Sequence, residues 1–183
     1  MDIQISLEGL TEITGMLTNY PEIAAKHLHE AMVEITDLLY RETVDATPTV
    51  EGHLRGSITR EVQVSDTGFI GVVGSASPYV VAVELGTKPH LPPIAPLIDW
   101  VEKRGLAKVF SIKTHKAMKP KGRDEAAITL QIAEAIAWKI FHHGTQGQFM
   151  FTNTWNKQQA YINQRFVLAR GRIMADMMQH GKA

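Results

Sequence analysis

The stretch SPYVVAVELGTKPHLPPIAPLIDW, Ser77 to Trp100, decides more of the expected structure than any other part of the chain. An apolar run ends at Gly86-Thr87, and four prolines follow, three of them before the helical pattern that begins at Ile94. Because proline fixes φ and has no N–H to donate, this corner suits neither a central strand nor a pliable linker. A stiff, partly apolar corner is typical of a surface shaped for a neighbouring protein.

Ahead of the corner, periodicity and turn residues predict one short strand, two helices and a hairpin. Pro21 is expected at the first position of the second helix, which should stop before Thr47-Pro48 because proline disfavours helix in the preceding residue. The apolar run of residues 79–85 is either a third strand or a single helical turn. The predicted elements are a strand at 3–7, helices at 10–18 and 22–44, and strands at 58–65 and 69–73 around a turn at 66–68.

Behind the corner, the pattern is helical. A helix over residues 94–104 should end at Gly105, and a basic loop, residues 105–123, follows it. Asp124 is expected to cap the next helix, which ends at His142-His143 before Gly144. This helix carries isoleucines at four-residue spacing: Ile128, Ile132, Ile136 and Ile140. Residues 149–151 are predicted to be extended.

The last predicted helix begins at a Thr154 cap and runs to about residue 179. At 1.5 Å per residue it is roughly 38 Å long, whereas a compact chain of this size has a radius of gyration of only about 16 Å. We therefore expect its apolar stripe to overhang the domain and meet a partner; the alternative is that it lies along the helix of residues 22–44. The stripe is close to a heptad seam: Trp155, Ile162, Phe166, Ile173 and Met177.

These elements predict an α+β fold, in which a small, mostly antiparallel sheet is packed by helices and a long C-terminal helix is added. The expected division is an α+β domain over residues 1–152, including the basic loop, and a helical extension over 153–183. The length of 183 residues suits one ordinary core. The chain has no cysteine, shows no basic and apolar leader at its start, and has no apolar run near the ~20 residues of a membrane span.

Charge is unevenly distributed, although its sum is zero. Residues 1–52 carry ten acidic and two basic side chains, residues 105–123 carry six bases and no acid, and residues 153–183 carry five bases against Asp176. This polarity suits head-to-tail contacts between copies, and it equally suits the solvated faces of separate elements.

Catalytic and metal-binding patterns are absent from the sequence, so an enzyme is not expected and no cofactor or metal is predicted. His27 and His29 are two residues apart on a helix and face different directions. Glu84 and Asp99 flank the proline corner, but Asp99 is four residues from Lys103, which is salt-bridge spacing. A hydrolase would instead need a deep pocket with converging polar groups, for example Asp99, Glu102 and His90.

Four motifs give the chain a family resemblance. TPTVEGHLRGSI, Thr47 to Ile58, resembles the signature TPVDTGxLRxSI, and YVVAVELGTKPHLPP resembles YAxYVEFGTxxxxPP. PLIDWVEKRG and HHGTQGQFMFTNTW follow in the same order, the latter similar to RGTxxxPFxxPA. These are signatures of the tail-component family of long-tailed bacteriophages, the tail-completion or head–tail joining proteins related to minor tail protein Z. The resemblance covers roughly residues 1–155. It departs from the family at residues 49–52, at Leu85 in place of Phe, and in a longer basic loop.

The resemblance implies a non-enzymatic virion protein, assembled in the host cytoplasm, that completes the tail and joins it to the head connector. Its partners would be other copies in a ring and neighbouring neck and tail proteins such as the connector or head-closure protein and the tail terminator or tube protein, with packaged DNA passing through the lumen and no membrane involved. Terminator and head-closure roles remain alternatives. We expect the hairpin of residues 58–73 and the corner of 86–96 to make the contacts. The expected assembly surface or its support is Leu54, Arg55, Tyr79, Glu84, Gly86, Thr87, Pro92 and Pro93.

The basic loop leaves three interpretations open: contact with a protein partner, contact with DNA, or a solvated loop. Six phosphate contacts would give log K a slope near −5 against log salt. Only Phe110 interleaves with the charges, which argues against stacking on single strands. A DNA-binding protein using this loop is therefore the alternative function. The residues concerned are Lys108, Lys113, Lys116, Lys119, Lys121 and Arg123.

Overall fold

The computed structural model describes residues 10–49, 52–65, 68–106 and 125–180, and in these ranges the chain has the predicted α+β fold. The strand predicted at 3–7, the turn at 66–67, the Asp124 cap and the basic loop beyond residue 106 lie outside the described residues. Helices predominate, and two small antiparallel sheets accompany them. The elements are α1 (Leu10–Ala46), α2 (His53–Gly56), β1 (Ile58–Ser65), β2 (Gly68–Ser75), α3 (Val80–Leu85), β3 (Gly86–Thr87), α4 (Ile94–Lys103), α5 (Glu125–His143), β4 (Thr145–Gln146) and α6 (Met150–His180).

The chain forms two compact units, each built from separated segments. Unit 1 contains Met1–Ala46, Ile58–Ser75 and Phe151–Ala183, and unit 2 contains Thr47–Ser57 and Ala76–Met150. The predicted boundary after residue 152 stays a prediction, although the contacts group the last helix with the first.

Helix α1 of unit 1 ends before Thr47-Pro48, as predicted, but it does not begin at Pro21. It runs without a break from Leu10, so the two predicted helices are one, and Pro21 lies inside it. An interior proline removes one backbone hydrogen bond at a cost of about 3 kcal/mol. Helical sequence on both sides outweighs that cost, because each further residue adds a bond without a new nucleation step.

The β1–β2 hairpin of unit 1 confirms the predicted hairpin and packs on α1. Its register is continuous from Ile58 opposite Ser75 to Ser65 opposite Gly68. Gly71 approaches α1 so closely that a Cβ there would overlap the hydroxyl of Thr36. On the same face, Arg60 pairs with Asp37 at 2.5 Å and lies over the ring of α1's Tyr40. The hairpin therefore rests on α1 through a glycine and a charged contact.

Helix α6 runs antiparallel to α1, because its residues pair with α1 in reverse order. Lys157 Nζ lies 2.7 Å from Glu42 Oε2, Arg165 pairs with Glu34, and His27 Nε2 lies 2.8 Å from Asp176 Oδ2. The hydrogen bond from Lys157 and its charge lower the pKa of the Glu42 carboxyl. In the described part of the chain α6 therefore lies along α1, as the alternative held, and the contact of its stripe with a partner stays a prediction.

The predicted seam on α6 is only partly buried. Ile162 and Ile173 are buried and Met177 is half-buried, whereas Trp155 and Phe166 are exposed. Ala169 completes the buried row.

The start of α6 differs from the prediction as well. Residues 149–151 are not extended, because Phe149 has a left-handed φ of 53° and the helix begins at Met150. Thr154 is therefore not a cap but a buried residue one turn inside the helix. A left-handed residue provides the helix start that a capping side chain was expected to provide.

In unit 2 the apolar run of residues 79–85 is helix α3, which settles the choice between strand and helical turn. Helix α4 ends near Gly105, whose φ is 60°, and α5 ends before Gly144 at φ 69°, both as predicted. On α5 the buried residues are Thr129, Ala133 and Ala137. The isoleucine row lies one position away and is half-buried, because the small residues allow the closer approach.

Candidate assembly surface

The ends of α3 and α5 in unit 2 are joined by a backbone pairing, here called the clasp, of residues 83–87 with 144–149. Strands β3 and β4 pair Gly86 with Gln146 and Thr87 with Thr145. The pairing continues past the strands, where the Gln148 N–H donates to the Val83 carbonyl at 2.8 Å. The clasp thus joins two of the sequence motifs, ELGT and GTQGQF, that are about sixty residues apart.

Threonine hydroxyls reinforce the clasp from both strands. The Thr87 N–H donates to Thr145 Oγ1 at 3.0 Å, and the Thr145 N–H donates to Thr87 Oγ1 at 3.1 Å. The two hydroxyl oxygens are themselves 3.0 Å apart, which is hydrogen-bond distance. Each Gly-Thr dipeptide therefore supplies a close-approaching backbone and a reciprocal side-chain bond.

Three glycines make this approach possible. Gly86 adopts φ 78° and ψ −174°, a region open almost only to glycine. A Cβ on Gly86 would overlap the Thr145 carbonyl, and one on Gly144 would overlap the Thr87 carbonyl. A Cβ on Gly147 would lie 2.5 Å from the Glu84 carbonyl. Because these neighbours are backbone atoms, a side chain at any of the three positions must open the clasp.

The proline corner follows the clasp directly. Pro92 is buried, whereas Pro93 is exposed and precedes α4 with φ −63° and ψ 135°. The His90 N–H reaches the Ile140 carbonyl near the end of α5 at 3.4 Å. Leu91, between these fixed points, is 74% exposed. The corner therefore holds an aliphatic side chain out to solvent on a constrained backbone.

Leu54 and Tyr79 line a cleft of about 730 Å³ within unit 2. Its other wall is α4 and the residue that follows it, Arg104, whose guanidinium lies 5.6 Å from the ring centre of Trp100. Arg104 also donates to the Thr49 carbonyl at 3.4 Å, which ties α4 to the segment before α2. The cleft is open and its walls are mixed apolar and charged.

The predicted assembly residues thus separate into two groups. Glu84, Gly86, Thr87 and Pro92 belong to the clasp or are buried beside it, so they support the surface rather than form it. Arg55, Tyr79 and Pro93 are exposed, and Leu54 is half-buried in the cleft wall.

Further exposed apolar side chains lie in unit 2 at positions that the motif comparison did not select. They occur on α3, at the corner and on α5, where Trp138, Phe141 and His142 form a contact cluster with Trp138 and His142 ring centres 4.5 Å apart. Their spacing of three and four residues places them on one helix face and was a usable signal. The most exposed are Val81, Leu85, Leu91 and Trp138.

The polar residues considered for chemistry are not brought together in the described structure. Asp99 lines the cleft, but its lining includes neither Glu102 nor His90. Across the described ranges, no three His, Asp or Glu side chains are grouped as metal ligands would be. The six bases of the basic loop lie outside the described residues.

Comparisons with protein families, with curated proteins and with solved structures found no match to this chain. Within the described ranges, none of the helices combines the length and the hydropathy needed to cross a membrane.

Proposed function

We propose that the chain is a structural protein of a tailed-phage neck, which completes the tail and joins it to the head connector as one subunit of a ring. The proposal begins from the four motifs in family order. The clasp is the observation that supports it most directly, because it pairs two of those motifs through backbone contacts. The order of the motifs in the sequence does not explain why the two occur together. Their backbone pairing does, because each motif needs the other to complete the clasp.

The exposed apolar side chains of unit 2 support a role in assembly. Tyr79, Leu91 and Trp138 are 68%, 74% and 66% exposed. Exposed apolar patches are typical of contact surfaces, and a stable contact buries about 800 Å² on each partner. A clasp that fixes α3, the corner and the end of α5 holds such side chains in one rigid unit, as a ring subunit requires.

The experiment is light scattering on the purified chain across salt concentrations, with and without duplex DNA. A closed ring should give one discrete mass above that of the 20.3 kDa chain, unchanged by DNA, and negative-stain images should show an annulus. Leu91→Ser should reduce the mass without lowering the melting temperature. Val167→Ser, an exposed apolar position on α6 of unit 1 that lies outside both the hairpin and the corner, is the control.

The outcomes separate the candidate roles. A monomer that binds duplex DNA at low salt and releases it at high salt would favour the DNA-binding alternative. An oligomer whose mass is unchanged by Leu91→Ser would show that the contact between copies does not lie at the corner. A monomer that ignores DNA and does not associate with isolated phage tails or connectors would overturn the proposal.

A further inference from the structure

Unit 1 contains an apolar groove of about 360 Å³ whose three sides come from three elements. Its floor is α1 over residues 32–43, its rim is β2 at Gly71 and Val73, and its wall is α6 over residues 151–166. Trp155 in the wall is 52% exposed. The lining resembles a protein core that lacks one layer.

The rim of the groove is an open strand edge. In the described part of the chain β2 pairs with β1 alone. Natural proteins protect such edges with charges, prolines or bulges. Strand β2, GFIGVVGS, has no charge or proline, and its register with β1 contains no bulge. Strand β1 carries Arg60 and Glu61 instead. The unprotected edge is therefore the one beside the groove.

The dimensions of the groove fit one short strand. Residues 32–43 of α1 span about 16 Å along the helix axis. Five residues of a strand span about 13 Å from first to last, with alternate side chains on one face. A single strand added to β2 would place three side chains in the groove and continue the sheet past its open edge.

The chain carries a matching pattern in residues 3–7, where Ile3, Ile5 and Leu7 alternate with Gln4 and Ser6. These residues lie outside the described ranges, so the argument uses their sequence alone. We propose that residues 3–7 of a second copy add to the free edge of β2 and place their three aliphatic side chains in the groove. Gln4 and Ser6 would then lie on the outer face with Ile70 and Val72.

The donor is a second copy because the segment does not reach the groove of its own chain. Helix α1 begins at Leu10, and Met32, the nearest residue of the groove floor, is twenty-two residues further along it. That separation is about 33 Å in a helix. Leu7 is three residues from Leu10 and extends at most about 11 Å from it. A bend at Pro21 changes the separation little, since a proline kink deflects a helix without reversing it.

This inference rests on the proposed function, because a second copy must supply the added strand. The groove itself is formed within a single chain. The test uses full-length chains with single cysteines, because the natural sequence has none. A Ser6→Cys chain is mixed with a Val72→Cys chain and oxidised, and the products are analysed by non-reducing electrophoresis and mass spectrometry of linked peptides. A Gln4→Cys chain tests the other outward position.

A product of twice 20.3 kDa that joins residue 6 or 4 to residue 72 is the expected result. The matched control is Glu61→Cys, directly opposite Val72 on β1. Strands are about 4.8 Å apart, so residue 61 would be about 10 Å from the donor, beyond the ~7 Å limit for Cα atoms in a disulfide. Ile5→Asp in the Ser6→Cys chain should abolish the product, and Gln4→Asp should leave it.

Three results would overturn the inference: no link to residue 72, equal linking to residue 61, or linking that survives Ile5→Asp. Light scattering on the same samples distinguishes this failure from that of the proposed function. An oligomer without the link leaves assembly standing through another surface. A monomer without the link contradicts both.

Discussion

Replacing Gly86 by alanine tests whether the clasp holds unit 2 together. The backbone region of Gly86 costs a residue with a side chain about 1–3 kcal/mol. The overlap of a Cβ with the Thr145 carbonyl adds the cost of overpacking, also about 1–3 kcal/mol, since backbone on both sides has no rotamer to change. We therefore expect the free energy of unfolding to fall by about 4 kcal/mol. For a chain of this length that corresponds to a melting temperature lower by about 8–16 °C.

The assay is thermal unfolding followed by tryptophan fluorescence in a Trp155→Phe background, so that Trp100 and Trp138 report on unit 2. Gly56→Ala is the control, because this glycine is in the same unit, has no left-handed φ, and has nothing within 4 Å of an added Cβ. The control should melt with the wild type or slightly above it. A Gly86→Ala chain that melts within about 2 °C of the control, a shift below ~1 kcal/mol, would refute the reasoning.

Thr145→Val removes the hydroxyl that bonds both the N–H and the side chain of Thr87, and urea unfolding should show a loss of about 1 kcal/mol; a larger loss for Thr49→Val, an exposed position of the same unit, would contradict it. Gly71→Ala forces a Cβ onto Thr36 and should destabilise unit 1 by about 1–3 kcal/mol, whereas Gly74→Ala, with open space around it, should not; equal melting temperatures would show that Thr36 or the hairpin shifts readily to make room for the Cβ. The lowered pKa of Glu42 means that its pairing with Lys157 stabilises the fold above the unfolded-state pKa of about 4.3 and is lost as the pH falls through the lower folded-state value. The stability difference between wild type and Lys157→Met should therefore be below ~1 kcal/mol at neutral pH and low salt, shrink in high salt, and vanish in acid; a difference that persists in acid would assign it to packing.

Sequence reasoning located most elements because their signals are local. A few neighbouring residues are enough to predict each of three features: the end of α1 before Thr47-Pro48, the alternating strands of the β1–β2 hairpin, and the glycines that follow α4 and α5. The prediction that a helix starts at Pro21 was wrong for the same reason. Proline is a local signal for a helix start, but helical sequence on both sides of Pro21 continues the helix through it. The Thr154 cap failed because the left-handed Phe149 has no recognisable sequence signal.

The site was less accessible to sequence reasoning because its contacts are long-range. Gly86 was expected to belong to the assembly surface or its support, but nothing in the sequence says that Thr145 meets it. On α5 the isoleucines are more hydrophobic than Thr129, Ala133 and Ala137, so hydropathy favoured them as the buried face. The smaller residues are the ones that are buried. The groove beside β2 has no sequence signature, because it exists only where α1, β2 and α6 come together.

The pairing of the first described helix with the last has a consequence for synthesis. His27 and Asp176, which lie in contact, are separated by 149 positions. All segments of unit 2 leave the ribosome before α6 does, whereas α1 and the hairpin must wait for nearly the whole chain before their second helix arrives. Contacts of such separation slow folding, because the entropy of closing the loop is lost before any of the contacts form. The side of α1 that α6 covers in the folded chain is therefore exposed through most of translation, and it is buried only after nearly every other element has been made.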